Sequence, residues 1–155
     1  MNISTSIEIN SSTDRVWYAI TDIENAQDRL SEIVSLKVLE KPDEGLVGLK
    51  WTETRKVFGK EATETMWITE YEDGKYYQTR AENHGAVYIS RLSLSPVGEN
   101  TLLTMSFEGT SESFWVRLIS GCFGFLMKGS MVKLIEKDLA DIKHYVENEL
   151  GDKLL

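Results

Sequence analysis

One stretch, Phe114 to Leu150, constrains the fold of this chain more than any other. Leu118, Cys122, Phe125, Val132, Ile135, Leu139, Ile142 and Val146 recur at steps of three and four, which places them on one helical face, and Gly129 completes that row between Phe125 and Val132. From Lys133 onward the opposite face carries Glu136, Lys137, Asp141, Lys143 and Glu147, the pattern of an amphipathic helix. Before Val132 only Arg117 and Lys128 are charged, and Phe114, Trp115, Ile119, Phe123, Leu126 and Met127 surround the axis. That half is buried on most sides or lines something apolar. Gly121, Gly124 and Gly129 each cost about 1 kcal/mol relative to alanine in a helix interior. Close backbone approach, a bend, or space kept for a ligand would offset that cost. A straight helix of this length would run about 50 Å, against about 33 Å for a ten-residue strand, so a bend or break is expected near Gly121 to Gly124.

The preceding chain reads as the sheet that such a helix covers. Ile3 to Asn10 alternates, with Ile3, Thr5, Ile7 and Ile9 on one face. Ser11, Ser12 and Thr13 offer an N-cap to a short helix holding Val16, Trp17 and Ile20, and Asp22 to Leu30 continues as a second short helix or turn. Strands are expected over Ile33–Glu40, Leu49–Phe58, Glu61–Glu70, Lys75–Glu82, Ala86–Leu94 and Thr101–Glu108. Pro42-Asp43-Glu44-Gly45, Gly59-Lys60, Asp73-Gly74 and Pro96 to Asn100 supply turns. Hairpin connections make this run antiparallel, and a sheet with one apolar face needs a cover.

At 155 residues the chain is one domain, 1–155, large enough for a substantial core. A net charge of −8 repels nucleic acid and anionic membrane surfaces. Arg117, Lys128 and three glycines interrupt the longest apolar run, against stable membrane insertion. Met1 to Asn10 has no basic segment followed by an apolar run and does not read as a secretory signal. The expectation is a soluble, cytoplasmic protein. The single cysteine excludes an internal disulfide, and Cys122, on the apolar row, reads as a small buried hydrophobe.

Ile9-Asn10, Ser12 to Trp17, Thr21-Asp22, Gly45 to Trp51, Ile68 to Glu72 and Leu94 to Thr101, followed by the final helix, form an ordered set. With it the whole chain resembles the START-like superfamily, also called SRPBCC or birch-pollen-allergen-like, and within it the polyketide cyclase/dehydrase and lipid-transport branch. The resemblance implies an α+β helix-grip fold. In it a curved seven-stranded antiparallel sheet wraps a long C-terminal helix, two short helices follow the first strand, and a cavity lies between sheet and helix. One departure is that the family often has a tryptophan shortly after the first helix, where this chain has Gln27-Asp28-Arg29-Leu30.

The family brings no shared catalytic motif, so chemistry has to be sought among these residues. His84, in an expected loop, and His144, on the polar side of the last helix, have no Cys/His cluster beside them, so no metal or other cofactor is expected. No Ser-His-Asp arrangement or phosphate-binding loop is present in the pattern. In the first long strand Leu49, Trp51, Glu53, Arg55 and Val57 share a face whose apolar members point it inward, taking Glu53 and Arg55 with them. Opposite charges on an enclosed face read as an ion pair or as the polar end of a ligand site. Arg80 shares a face with Tyr76, Gln78 and Glu82 and could join that end, although Tyr77, Thr79 and Ala81 are equally eligible to be inside. Met66 and Ile68 are favoured as the inner set of their strand. Tyr88, Leu92 and Leu94, with Leu103, Met105 and Phe107, are the apolar sets of the last two.

Leu118, Cys122, Phe125 and Gly129 complete the candidate lining from the helix. Any one of these residues reads more readily as ordinary core, and the case for a cavity rests on the resemblance and the glycines. The leading expectation is binding or transport of a hydrophobic or amphipathic small molecule, such as a lipid, an isoprenoid or an aromatic metabolite. A polyketide cyclase- or dehydratase-like enzyme is the alternative, with Glu53 as base and Arg55 or Arg80 stabilising an enolate. A protein-interaction module like that of the chaperone-activator branch is the third.

Overall fold

A computed structural model of the chain describes residues 2–57, 59–83, 86–111, 129 and 131–151. Strand β1 (Asn2–Ile9) leads into helix α1 (Thr13–Thr21) and a 3-10 turn (Ile23–Asp28). Six strands follow: β2 (Ile33–Glu40), β3 (Lys50–Val57), β4 (Lys60–Glu72), β5 (Tyr76–Asn83), β6 (Ala86–Val97) and β7 (Asn100–Ser111). Helix α2, residues 131–144, closes in one π-helical turn, Tyr145–Glu149. Each strand lies within a few residues of its expected place. The expected bend near Gly121 to Gly124, and the apolar half of the helix around it, lie outside the described residues. So does His84.

The seven strands form one antiparallel sheet in the order β1-β7-β6-β5-β4-β3-β2. Consecutive hairpins generate every pair from β2 to β7, and β1 returns to lie beside β7, leaving β1 and β2 as the edges. Ser12 caps α1, its hydroxyl accepting from the Arg15 amide, and the helix buries Val16, Ala19 and Ile20. Between β2 and β3 the chain turns at Gly45, with φ +69°, where a Cβ would collide with the Tyr71 hydroxyl. Both facts favour glycine there.

Alternation is broken once where it matters. Ile68 pairs with Thr79, but Glu70 pairs with Gln78, so β4 carries a bulge at Thr69. Met66 and Ile68 face the interior before the bulge and Tyr71, not Glu70, faces it afterwards. The core runs from Ile9, Val16 and Ile20 through Leu103 to Leu139, Val146 and Leu150, all essentially inaccessible. Burial of that apolar surface, at roughly 25 cal/mol per Å², holds sheet and helix together.

Polar contacts fix where α2 sits. At its C-terminal end Lys143 Nζ donates to the Glu8 carbonyl at 2.8 Å, and Glu147 accepts from the Asn10 amide at 2.8 Å. Arg15 donates to the Gly151 carbonyl at 2.7 Å. One turn earlier, Asp141 Oδ2 accepts from the Ser31 amide at 3.0 Å and the Ser31 hydroxyl at 2.8 Å, while Lys137 Nζ donates to Oδ1 at 2.6 Å.

Burial pushes the Asp141 carboxyl up, but the bonds from Lys137 and Ser31 outweigh it and hold the group below the ordinary aspartate value of 3.8. A carboxylate with a depressed native value contributes stability that is present above its unfolded value and lost as pH falls through the native one. Asp141→Ala should therefore lower stability by about 1–3 kcal/mol at neutral pH. The gap from wild type should shrink when urea unfolding is repeated below the native value; an equal gap at both pH values would show that the ionised form carries none of the effect.

Candidate functional site

The inner face of β3 carries Trp51 and Glu53 into the interior, 3% and 8% exposed, with Arg55 beside them at the same pleat. Alternation accounts for all three. Arg55 is held from two sides. Its Nε donates to Glu53 Oε1 at 2.9 Å and its Nη1 to Asp138 Oδ2 at 2.7 Å. Trp51 Nε1 donates to the other Glu53 oxygen at 3.3 Å. Glu53 and Arg55 thus come together as the sequence suggests, and α2 supplies a third member that its pattern of charges hid. Asp138 lies three residues after Ile135 and four before Ile142, so it belongs to the apolar row and not to the solvated face. That spacing was the available signal.

Burial draws the Arg55 guanidinium down, but two adjacent carboxylates more than reverse this and keep it charged, above its ordinary value. For Asp138 the balance is opposite: burial pushes the carboxyl up, and Arg55 offsets only part of that push. Asp138 Oδ1 has no hydrogen-bond partner among the described residues.

Next to this cluster lies a cavity of about 90 Å³. Of the expected lining residues, Trp51, Glu53, Arg55, Met66, Leu92 and Met105 border it. Ile68 and Leu103 are instead solid core, 1% and 0% exposed. Tyr88 stacks on Phe107 with ring centroids 5.6 Å apart, and Gly109 opposite Tyr88 leaves room for the ring. Neither aromatic borders the cavity. Leu118, Cys122 and Phe125 lie outside the described residues.

Two expected residues are displaced. Arg80 is on the outer face of β5, where it pairs with Glu82 at 2.7 Å, because Tyr77, Thr79 and Ala81 take the inward positions. Both faces of β5 combine polar and aromatic groups, so alternation alone left the choice open. Gly129 is exposed, and no described residue lies within 4 Å of where its Cβ would stand. The apolar row therefore does not continue through Gly129 as a packed position among the described residues.

The cavity also has walls that sequence reasoning did not select. Ile23, Ala26, Arg29 and Leu30 come from the 3-10 turn and the residues after it, Tyr77 and Thr79 from β5, Ser90 from β6, and Ile142 from α2. Arg29, in the stretch where the resembling family often has tryptophan, is only 7% exposed. Its Nη1 donates to the Asp22 carbonyl at 2.8 Å and Nη2 to the Ile20 carbonyl at 3.4 Å. Burial lowers its affinity for the proton below the ordinary arginine value, with Tyr77 and Asp22 acting against that. The Tyr77 hydroxyl also donates to the Ile20 carbonyl, at 3.1 Å, and burial pushes it up to about 12, so it stays protonated. Thr79 and Ser90 hydroxyls bond each other across the strand pair.

The comparisons with known proteins agree with this architecture. The profile of the family described as "Polyketide cyclase / dehydrase and lipid transport" matches residues 1–147. No curated protein matches the sequence. Among solved structures, a protein from Thermus thermophilus superposes with a TM-score of 0.79 at 18% identity, covering 95% of this chain and 97% of that one. The Zhui aromatase/cyclase from a Streptomyces species gives 0.76 at 12% identity, covering 97% and 95%. A START superfamily protein from Mycobacterium smegmatis gives 0.63 at 14%, covering 88% and 97%. At these identities the structures share the fold.

Arg55→Met would leave two buried carboxylates without their cation and should cost about 3 kcal/mol. Combining it with Glu53→Met and Asp138→Leu should recover most of that loss, because an apolar cluster of similar volume needs no desolvation of charge. Urea denaturation of the single and triple variants checks this. A triple variant no more stable than the single one would show that the cluster's geometry, not its charge, is what stabilises the fold.

Proposed function

Because this chain belongs to the polyketide cyclase/dehydrase and lipid transport family, we propose that it binds a hydrophobic or amphipathic small molecule between its sheet and α2. The observation that carries this reading is the cavity beside Glu53, Arg55 and Asp138. There an apolar wall of Ile23, Leu30, Met66, Leu92, Met105 and Ile142 meets a small set of charged and hydroxyl groups. Ligand sites combine those two features, apolar lining for affinity and a few fixed polar groups for orientation. At about 90 Å³ the described walls enclose far less than the roughly 300–1,000 Å³ of a site for a drug-sized ligand. The space therefore suits the end group of a ligand whose remainder extends past these walls.

Binding fits the site better than catalysis by Glu53. A general base needs an oxygen within reach of the substrate proton, and both Glu53 oxygens are engaged, one by Arg55 and one by Trp51. The likeness to an aromatase/cyclase is one of fold and supplies no reacting group here.

A neutral naphthylamine fluorophore should bind the native protein with enhanced, blue-shifted emission and be displaced by flat aromatic competitors. Enhancement that appears only in acid or denaturant would indicate a solid native core and overturn the reading. Met66→Trp, which adds bulk to the cavity wall, should weaken probe binding about tenfold or more while retaining the cooperative unfolding transition.

A further inference from the structure

Resting on that binding reading, we propose that Asp138 Oδ1 is the recognition point of the cavity, and that it selects a ligand ending in a neutral hydroxyl over one ending in a carboxylate or an ammonium. Asp138 is 7% exposed and borders the cavity, and its Oδ1 is the one buried side-chain oxygen or nitrogen without a hydrogen-bond partner among the described residues. An unsatisfied buried acceptor costs about 1–3 kcal/mol, more when charged, so a ligand able to donate to it recovers that free energy.

Each neighbouring polar side chain already makes at least one hydrogen bond. Arg55 donates to both carboxylates, Glu53 accepts from Arg55 and Trp51, and Tyr77 donates to the Ile20 carbonyl. The Thr79 and Ser90 hydroxyls bond each other.

Charge decides what kind of donor fits. The cavity wall carries two cations, Arg29 and Arg55, and two carboxylates, Glu53 and Asp138. The four balance, and a neutral hydroxyl leaves that balance intact. A bound carboxylate would face Asp138 oxygen to oxygen and leave one uncompensated buried negative charge. A bound ammonium would reach Oδ1 but leave one uncompensated positive charge. Either surplus is expensive away from water. Arg29 does not reverse this, because its charge is already counted in that balance, and its two Nη atoms donate to the carbonyls of Asp22 and Ile20.

Four one-ring compounds of nearly equal size test the proposal: benzyl alcohol, its isomer anisole, benzylamine and benzoate. Each is titrated into the wild-type protein at neutral pH and followed by amide chemical shifts. Benzyl alcohol should bind about tenfold tighter than anisole, which accepts but does not donate, and tighter than either ion. Asp138→Asn keeps the volume and one oxygen for Arg55 but puts an NH₂ group in place of Oδ1. The preference for the alcohol over anisole should then fall below about twofold. The wild-type series stands without the variant, so loss of folding in Asp138→Asn would not remove the test.

Three results would overturn the proposal while leaving binding intact: anisole bound as tightly as the alcohol, or benzoate or benzylamine bound more tightly than it. No binding by any of the four would overturn both this proposal and the reading it rests on.

Discussion

The constraint on which the rest of this structure depends is the desolvation of Arg55. A guanidinium on the inner face of β3 is tolerated only if carboxylates follow it inside. One comes from the same strand, two residues away, because alternation puts Glu53 on the same face. The other has to come from the covering helix. Asp138 therefore sets the rotation of α2 about its own axis. Turned away by one position, the helix would still offer an apolar stripe to the sheet, yet Arg55 would lose a partner and Asp138 would be carried toward solvent. Apolar burial supplies the affinity between helix and sheet, and the ion cluster supplies the register.

That arrangement has a consequence for the cavity. Long charged side chains meeting in the interior cannot interdigitate with apolar groups as closely as Leu139 and Leu103 do with theirs. The space of about 90 Å³ lies where the packed apolar core gives way to the ion cluster. Arg29 extends the same boundary from the other side. Within the stretch where the resembling family often has a tryptophan, the Arg29 guanidinium donates to the carbonyls of Asp22 and Ile20. It makes that wall polar without adding a carboxylate, and it equalises the two signs of charge around the cavity.

Most of the fold was legible in the sequence because its determinants are local. Period-two alternation and short turns placed the strands, and with only hairpins between β2 and β7 their order followed. The steps of three and four placed Ile135, Leu139, Ile142 and Val146 correctly on the buried face of α2. The site was less legible because it depends on contacts between distant segments. Glu53 and Arg55 could be read together, since they share one strand. Asp138 is 83 residues from Arg55, and a carboxylate within a charged helix reads as solvated until its spacing from Ile135 and Ile142 is considered. Arg29 lies in a stretch read only as a second short helix or turn, and nothing in that pattern marked it as buried. Arg80 failed differently: both faces of β5 combine polar and aromatic side chains, and the hydroxyl pair of Thr79 with Ser90 makes a polar inner face acceptable. The bulge at Thr69, which brings Tyr71 inward, leaves no mark in the alternation before it.

The same geometry separates the two carboxylates of the cluster chemically, although they share one arginine. Glu53 gives one oxygen to Arg55 and the other to Trp51, so both its oxygens are engaged by the protein. Asp138 gives one oxygen to Arg55 and keeps the other uncommitted, while burial holds its proton affinity above the ordinary aspartate value. On the proposed reading, a ligand entering the cavity meets the uncommitted oxygen of Asp138. Sequence order favoured Glu53, because its strand declares its inward face. The hydrogen-bond inventory favours Asp138, since availability for recognition depends on what a buried group has left over after the fold has been satisfied.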